Sequence, residues 1–353
     1  MGNTRYIRYI QGVVIASLIL HETAPAMCGH LLWRSRRNEP SVVCAAWEIG
    51  DGHFVVMEMN DDVYSFHSMR RSASAKPVLL FRNAACIAKT QNGVTIVTRA
   101  NDKSTVASYQ LAVEQIKTSR SVQLKLVSKV MTAWPVSAIC EVQLGQQNAA
   151  ALVCCVEESS TNAGNCGLLN RQSGSLSFFA SSLDKGELMA ASRRVLAVSD
   201  WSQIHVFNWD QALTPKVSRI DLPATRQITV SPDGKLVAVS RRVAGDNNIR
   251  VYSSLLGTLA KTFAVPGLQE INALEWTRDS KSLVVGTSRM LDKQSTAGAI
   301  LLFRELNGPP VALATSSYGY RSVVSAGAAM IASRRSGEIE LIELPVEIAR
   351  SGR

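Results

Sequence analysis

From about residue 41 onward the chain alternates short apolar runs with polar turns. The clearest stretch is Ile228-Thr229-Val230, then Ser231-Pro232-Asp233-Gly234-Lys235, then Leu236-Val237-Ala238-Val239-Ser240. It continues through Gly245-Asp246-Asn247-Asn248 into Ile249-Arg250-Val251-Tyr252. Runs of four to eight apolar or alternating residues bounded by turn residues predict strands rather than helices. Pro-Asp-Gly presets the turn: Pro fixes φ, Asp bonds the backbone, and Gly accepts positive φ.

The same unit recurs along the chain. Ile271–Trp276 turns at Thr277-Arg278-Asp279-Ser280 into Leu283–Thr287 and then Ala299–Phe303. Val195–Ser199 leads through Asp200 to Ile204–Asp210, and Met330–Ser333 turns at Ser336-Gly337 into Ile339–Leu344. Fainter copies are Phe54–Met59 with Val63–Phe66, Val94–Thr98 with Val106–Tyr109, and Ala149–Val156 with Gly167–Asn170. Second strands are expected to start at residues 54, 94, 149, 195, 236, 283 and 330. Spacings of 40 to 55 residues match the period of four-stranded propeller blades. Segments 122–130, 175–181, 216–222, 259–265 and 311–317 supply outer strands.

These residues resemble the WD-repeat β-propeller family. The resemblance rests on Ser231–Lys235, on Asp246-x-x-Ile249-x-Val251-Tyr252, and on Asp200-x-x-x-Ile204-x-Val206-Phe207 with one Trp209-Asp210. It implies an all-β fold, a single seven-bladed β-propeller of four-stranded antiparallel blades closed by an N-terminal strand. His30–Arg34 is expected to pair with Ile339–Leu344. The propeller is expected over residues 27–347, with an extension at 1–26 and a tail at 348–353. Only one Trp-Asp is present and the family's Gly-His is missing, so apolar packing is expected to replace most of its His–Asp hydrogen bonding.

Residues 1–26 read in two ways. Arg5 and Arg8 precede the apolar run Gly12–Leu20 and the small residues Ala24-Pro25-Ala26, the order of a targeting segment. Val, Ile and Leu in that run also suit a packed strand. A cytoplasmic or nuclear protein follows from the second reading, and a secretory or organellar one from the first. No stretch reaches the ~18 apolar residues of a membrane-spanning helix.

The hydrophobic fraction of 46% allows a sizeable core. The 7 cysteines include no CxxC pair and sit in apolar runs, so they read as free thiols packed like small hydrophobes in a reducing compartment. No metal site, cofactor or enzyme motif is found: G-x-S-x-G, G-x-x-x-x-G-K-[ST] and H-E-x-x-H are absent. Asp61-Asp62 and Glu157-Glu158 read as solvated turn residues, His205 as an ordinary strand position, and Asn162–Asn165 as a loop. Trp47, Trp134 and Trp276 read as core.

Net charge is +10. In a propeller, hairpins joining second to third strands share one face with the links between blades. Arg99, Lys103, Arg241, Arg242, Arg289, Lys293, Arg334 and Arg335 all fall on those hairpins. They form the candidate surface for an acidic partner, against the alternative that they only solubilise strand edges. The expected function is a non-enzymatic scaffold for protein–protein interactions within a larger complex. The alternatives are a nucleic-acid or ribonucleoprotein-associated propeller and a propeller resembling ER-export exchange factors for a small GTPase. No small-molecule substrate is expected.

Overall fold

A computed structural model describes residues 30–34, 42–345 and 348. Within that range it leaves out 51–52, 61–62, 71–72, 83, 91–92, 101–102, 117–118, 145–148, 158–162, 185–187, 201, 210–213, 268, 291–295 and 328. The expected extension at 1–26, together with Asp61, Asp62, Glu158 and Lys293, lies outside the described residues.

The strands in chain order are β1 (His30–Arg34), then β2 (Val42–Gly50), β3 (His53–Asn60), β4 (Val63–Arg70) and β5 (Ala73–Arg82) of the first blade. The second blade is β6 (Ala84–Thr90), β7 (Gly93–Ala100), β8 (Lys103–Ile116) and β9 (Ser119–Thr132). The third is β10 (Val136–Leu144), β11 (Ala149–Glu157), β12 (Ala163–Leu169) and β13 (Leu176–Asp184). The fourth is β14 (Leu188–Ser192), β15 (Val195–Ser199), β16 (Ile204–Asn208) and β17 (Lys216–Ile220). The fifth is β18 (Thr225–Val230), β19 (Leu236–Arg241), β20 (Asn248–Ser253) and β21 (Leu259–Ala264). The sixth is β22 (Glu270–Trp276), β23 (Leu283–Met290), β24 (Thr296–Phe303) and β25 (Val311–Ser316). Last come β26 (Tyr320–Ala326), β27 (Ala329–Arg334) and β28 (Glu338–Glu343).

Sheet pairing corrects the expected blade count. Six blades are complete in themselves, each a meander of four consecutive strands, where seven repeat units had been read. The remaining β26–β28 form a three-stranded meander that becomes four-stranded only by taking β1. The physical reason lies in the edge of β28. It is covered by β1 from the other end of the chain, with His30 opposite Leu341 and Arg34 opposite Glu338, so this sheet is a composite of both ends.

The core is distributed between sheets rather than inside one. Ala45, Trp47, Val55 and Met57 of the first blade pack against Val94 and Ile96 of the second. Val195, Val206 and Ile220 of the fourth meet Val230, Val237 and Tyr252 of the fifth. Val43, Ala46, Phe54 and Val56 meet Ala329, Ile331, Ile339 and Leu341 across the composite sheet. Central strands are therefore buried on both faces, which explains runs such as Val195–Ser199 that are apolar throughout. From the second blade round to the first, first strands of neighbouring sheets pack against one another: β6 against β10, then β14, β18, β22, β26 and β2.

Three smaller expectations change. Cys155 and Cys166, directly opposite on β11 and β12, form a disulfide, so the thiols are not all free. Cys44, Cys86, Cys140 and Cys154 are not disulfide-bonded. Ala163–Asn165 belong to β12 instead of a loop, because the run pairs with β11 and β13. Trp134 is 37% exposed at a blade link and makes an edge contact with Phe178, whereas Trp47 and Trp276 are core.

Candidate functional site

Strand order gives the ring two chemically different faces. Hairpins joining second to third strands and the links between blades emerge on one, here the upper face. First-to-second and third-to-fourth hairpins emerge on the other, the lower face.

The upper face carries the cations expected there, but they divide into two groups. Lys103, Arg242 and Arg99 are exposed, although the Arg99 Nε–H also donates to the Val136 carbonyl at 2.9 Å. Arg241, Arg289, Arg334 and Arg335 are half-buried. Arg241 donates from Nε to the Pro223 carbonyl at 3.1 Å and faces the Asp246 carboxylate at 3.5 Å. Arg334 lies 2.6 Å from the Glu338 carboxylate and also pairs with Glu340, both buried. Arg335 lies 3.6 Å from Glu270, which Arg226 holds at 2.8 Å while also donating to Asn272. These pairs overturn the idea that all the hairpin arginines are solubilising tips. Arg334 neutralises carboxylates that the fold has buried.

One feature of the sequence points to this pairing. Glu338 and Glu340 alternate with the apolar Ile339 and Leu341 along a strand that continues through Ile342 to Glu343. Two acids on one face of a buried strand require a cation, and Arg334 stands across the turn.

His205 is more than an ordinary strand position. Its Nε2 lies 3.0 Å from Asp200 Oδ2, and both residues are buried. Asp200 also accepts from the Ser202 and Gln203 N–H groups at 2.8 and 2.7 Å and from the Ser202 hydroxyl. Burial pushes the Asp200 carboxyl up, but these hydrogen bonds together outweigh it and leave it below its ordinary value. One blade thus has a buried His–Asp side-chain hydrogen bond, where most of the family's His–Asp bonding was expected to be replaced by apolar packing.

Lys89 of β6 donates to the Ser325 carbonyl of β26 at 2.8 Å and sits 5.7 Å from the Trp47 ring centre. Lys89 is exposed although protein groups surround its ammonium. Desolvation lowers its pKa, partly offset by Glu275. Burial raises the Glu275 carboxyl, partly offset by Lys89 and the Ser325 N–H.

The buried thiols are poor nucleophiles. Burial pushes Cys86 up to about 12, with Arg99 opposing, and raises Cys154 and Cys140 as well. Among the described residues no group of three or more His, Cys, Asp or Glu could hold a metal ion. Among them, too, no helix is long and apolar enough to cross a membrane.

No protein-family model matches the chain, and no curated protein sequence is similar to it. Solved structures are. The Dos1 propeller superposes with a TM-score of 0.57 at 12% identity, covering 86% of this chain and 78% of that one. The β-propeller domain of Cps50 (Swd1) from Myceliophteria thermophila gives 0.56 at 9%, covering 86% and 100%. Sqt1 from Chaetomium thermophilum gives 0.53 at 13%, covering 89% and 97%. At such identities the likeness establishes the fold. The chain is a β-propeller, and its resemblance to WD repeats at Ser231–Lys235 and Asp246–Tyr252 agrees with that fold.

Proposed function

We propose that this propeller is a non-enzymatic scaffold that holds an acidic protein partner within a larger assembly through its upper face. The observation that carries this reading is the separation of the cations. Arg241, Arg334 and Arg335 are half-buried and held in internal ion pairs, whereas Lys103, Arg99 and Arg242 are exposed at second-to-third hairpins of two blades. Charges held on a rigid surface attract an acidic partner over roughly 8 Å at physiological salt.

The test is reversal of Arg99, Lys103 and Arg242 to Glu, leaving the paired arginines in place. Association with the partner identified by affinity capture should be lost, while the thermal melt stays close to wild type, since exposed substitutions change stability by about ±0.5 kcal/mol each. Retained association would overturn the reading. If the captured partner is a nucleic acid, affinity falls linearly on a log–log plot against salt, and the scaffold for proteins is the wrong class.

A further inference from the structure

The lower face of blades five and six combines an exposed apolar tip with a polar cleft lined by charges of both signs and flanked by an excess of cations. At the hairpin between β20 and β21, Leu255 is 54% exposed, Leu256 67% and Leu259 55%. A scattered surface leucine needs no explanation, but these sit on a tip that cannot turn them inward. The Gly257 N–H donates to the Ser253 carbonyl, the Ser253 N–H to the Thr258 carbonyl, and the Leu256 N–H to the Ser253 hydroxyl. Ser254 is buried and clamps the tip to the β18–β19 turn, donating from N–H to the Lys235 carbonyl at 2.9 Å and from its hydroxyl to the Gly234 carbonyl at 2.6 Å. Gly257, at φ +67, lies against the Arg219 carbonyl so closely that a Cβ would come within 2.3 Å of it.

Hydrogen bonds carry this surface across to the sixth blade. The Asp233 N–H donates to the Ser280 hydroxyl and Lys261 to the Asn307 side chain, while within the sixth blade the Glu305 N–H donates to the Ser282 hydroxyl. Between these turns opens a cleft of 420 Å³ lined by Asp279, Lys281, Ser282, Arg304, Glu305 and Asn307, with Ile348 at its edge. Exposed Lys235, Lys261, Arg278, Lys281 and Arg304 outnumber the acids Asp233, Asp279 and Glu305. Asp233 and Asp279 are each bonded to the turns they sit in.

We propose that this face is a second docking site, independent of the upper-face reading, for an extended peptide segment of a partner protein that alternates acidic and large apolar residues. Leu255 and Leu256 take the apolar anchors, and Lys281, Arg304 and Lys261 take the carboxylates. The tip is already ordered, so binding does not have to immobilise it. A peptide fits better than an anionic bilayer. Among the described lower-face tips only this one presents adjacent large apolar residues, while Arg171-Gln172-Ser173 at the third blade is polar. Asp279 and Glu305 in the cleft also repel a continuous anionic sheet while leaving room for discrete side chains. A second copy of this chain, at net +10, is a poor charge match.

The experiment selects a displayed random-peptide library on the purified full chain. Two variants run in parallel, Leu255→Ser with Leu256→Ser, and Lys281→Glu with Arg304→Glu. Peptides combining acidic and large apolar residues should be enriched on wild type, and a selected peptide should bind either variant at least ~10-fold more weakly by fluorescence anisotropy, with unchanged melts. Enrichment without that pattern, or binding to either variant as tight as to wild type, overturns the proposal. So does binding to phosphatidylcholine–phosphatidylserine vesicles, or dimerisation in sedimentation, that disappears with the leucine variant.

Discussion

Arg334 is a cation that holds the fold, unlike the exposed Arg242. Glu338 and Glu340 are 4% and 1% exposed, and Glu340 also accepts the Tyr320 hydroxyl at 2.9 Å. Removing one member of a buried pair leaves a charge without compensation, a loss of about 3–5 kcal/mol. Arg334→Met should therefore lower the melting temperature strongly, while Arg242→Glu barely moves it. A denaturant titration of both variants checks this, and equal midpoints would show the buried pair to be energetically neutral. A composition-based view treats the two arginines as equivalent. Only the neighbours separate them, and those neighbours sit on a strand whose pairing needs the whole ring.

At the level of the element, the hairpins show which sequence signals carry structure. Ser231–Leu236 and Thr277–Ser282 are the same turn built twice. In each, a hydroxyl donates to the Asp two residues on and accepts the N–H five residues on. Gly234 at φ +76 is replaced in the second copy by Ser280 at φ +62, whose hydroxyl binds the Asp233 N–H of the first. Such turns are legible because the bonds that close each of them span no more than five residues. The strand starts were legible for the same reason, with second strands beginning at His53, Gly93, Ala149, Val195, Leu236, Leu283 and Ala329. The Cys155–Cys166 bridge was not, since it depends on β11 and β12 adopting one register out of several. The exposed Leu255-Leu256 tip was also missed, because two leucines beside a glycine read like any strand end.

The hairpin between β15 and β16 makes this testable by pH. With its folded-state carboxyl held below the ordinary value, Asp200 contributes stability above about pH 4 that is lost as pH falls through the lower folded value. Asp200→Asn should cost about 1–3 kcal/mol at pH 7, through weakened bonds to Ser202, Gln203 and His205. The gap from wild type should narrow below pH 4. Melts across that range check it, and a gap constant with pH would show that the turn is held by shape rather than by the carboxylate.

Across the whole molecule, stability depends on a ring in which each sheet shares its apolar wedges with two neighbours. Val43 and Phe54 of the first blade bury against Ile331 and Leu341 of the composite sheet, so the two chain ends hold one another in place. β1 is the non-covalent fastening, with four residue pairs between His30–Arg34 and β28. Without it β28 presents a free edge, a template for pairing with other chains. Deleting residues 1–36 should therefore lower the melting temperature by roughly 5 °C or more, on the order of a few kcal/mol, and produce aggregates. Deleting residues 1–26 keeps β1 and should leave a soluble protein melting near wild type. Light scattering and thermal melts of both truncations decide the matter. If they behave alike, β1 does not close the ring, and the remaining sheets hold together through their wedges alone.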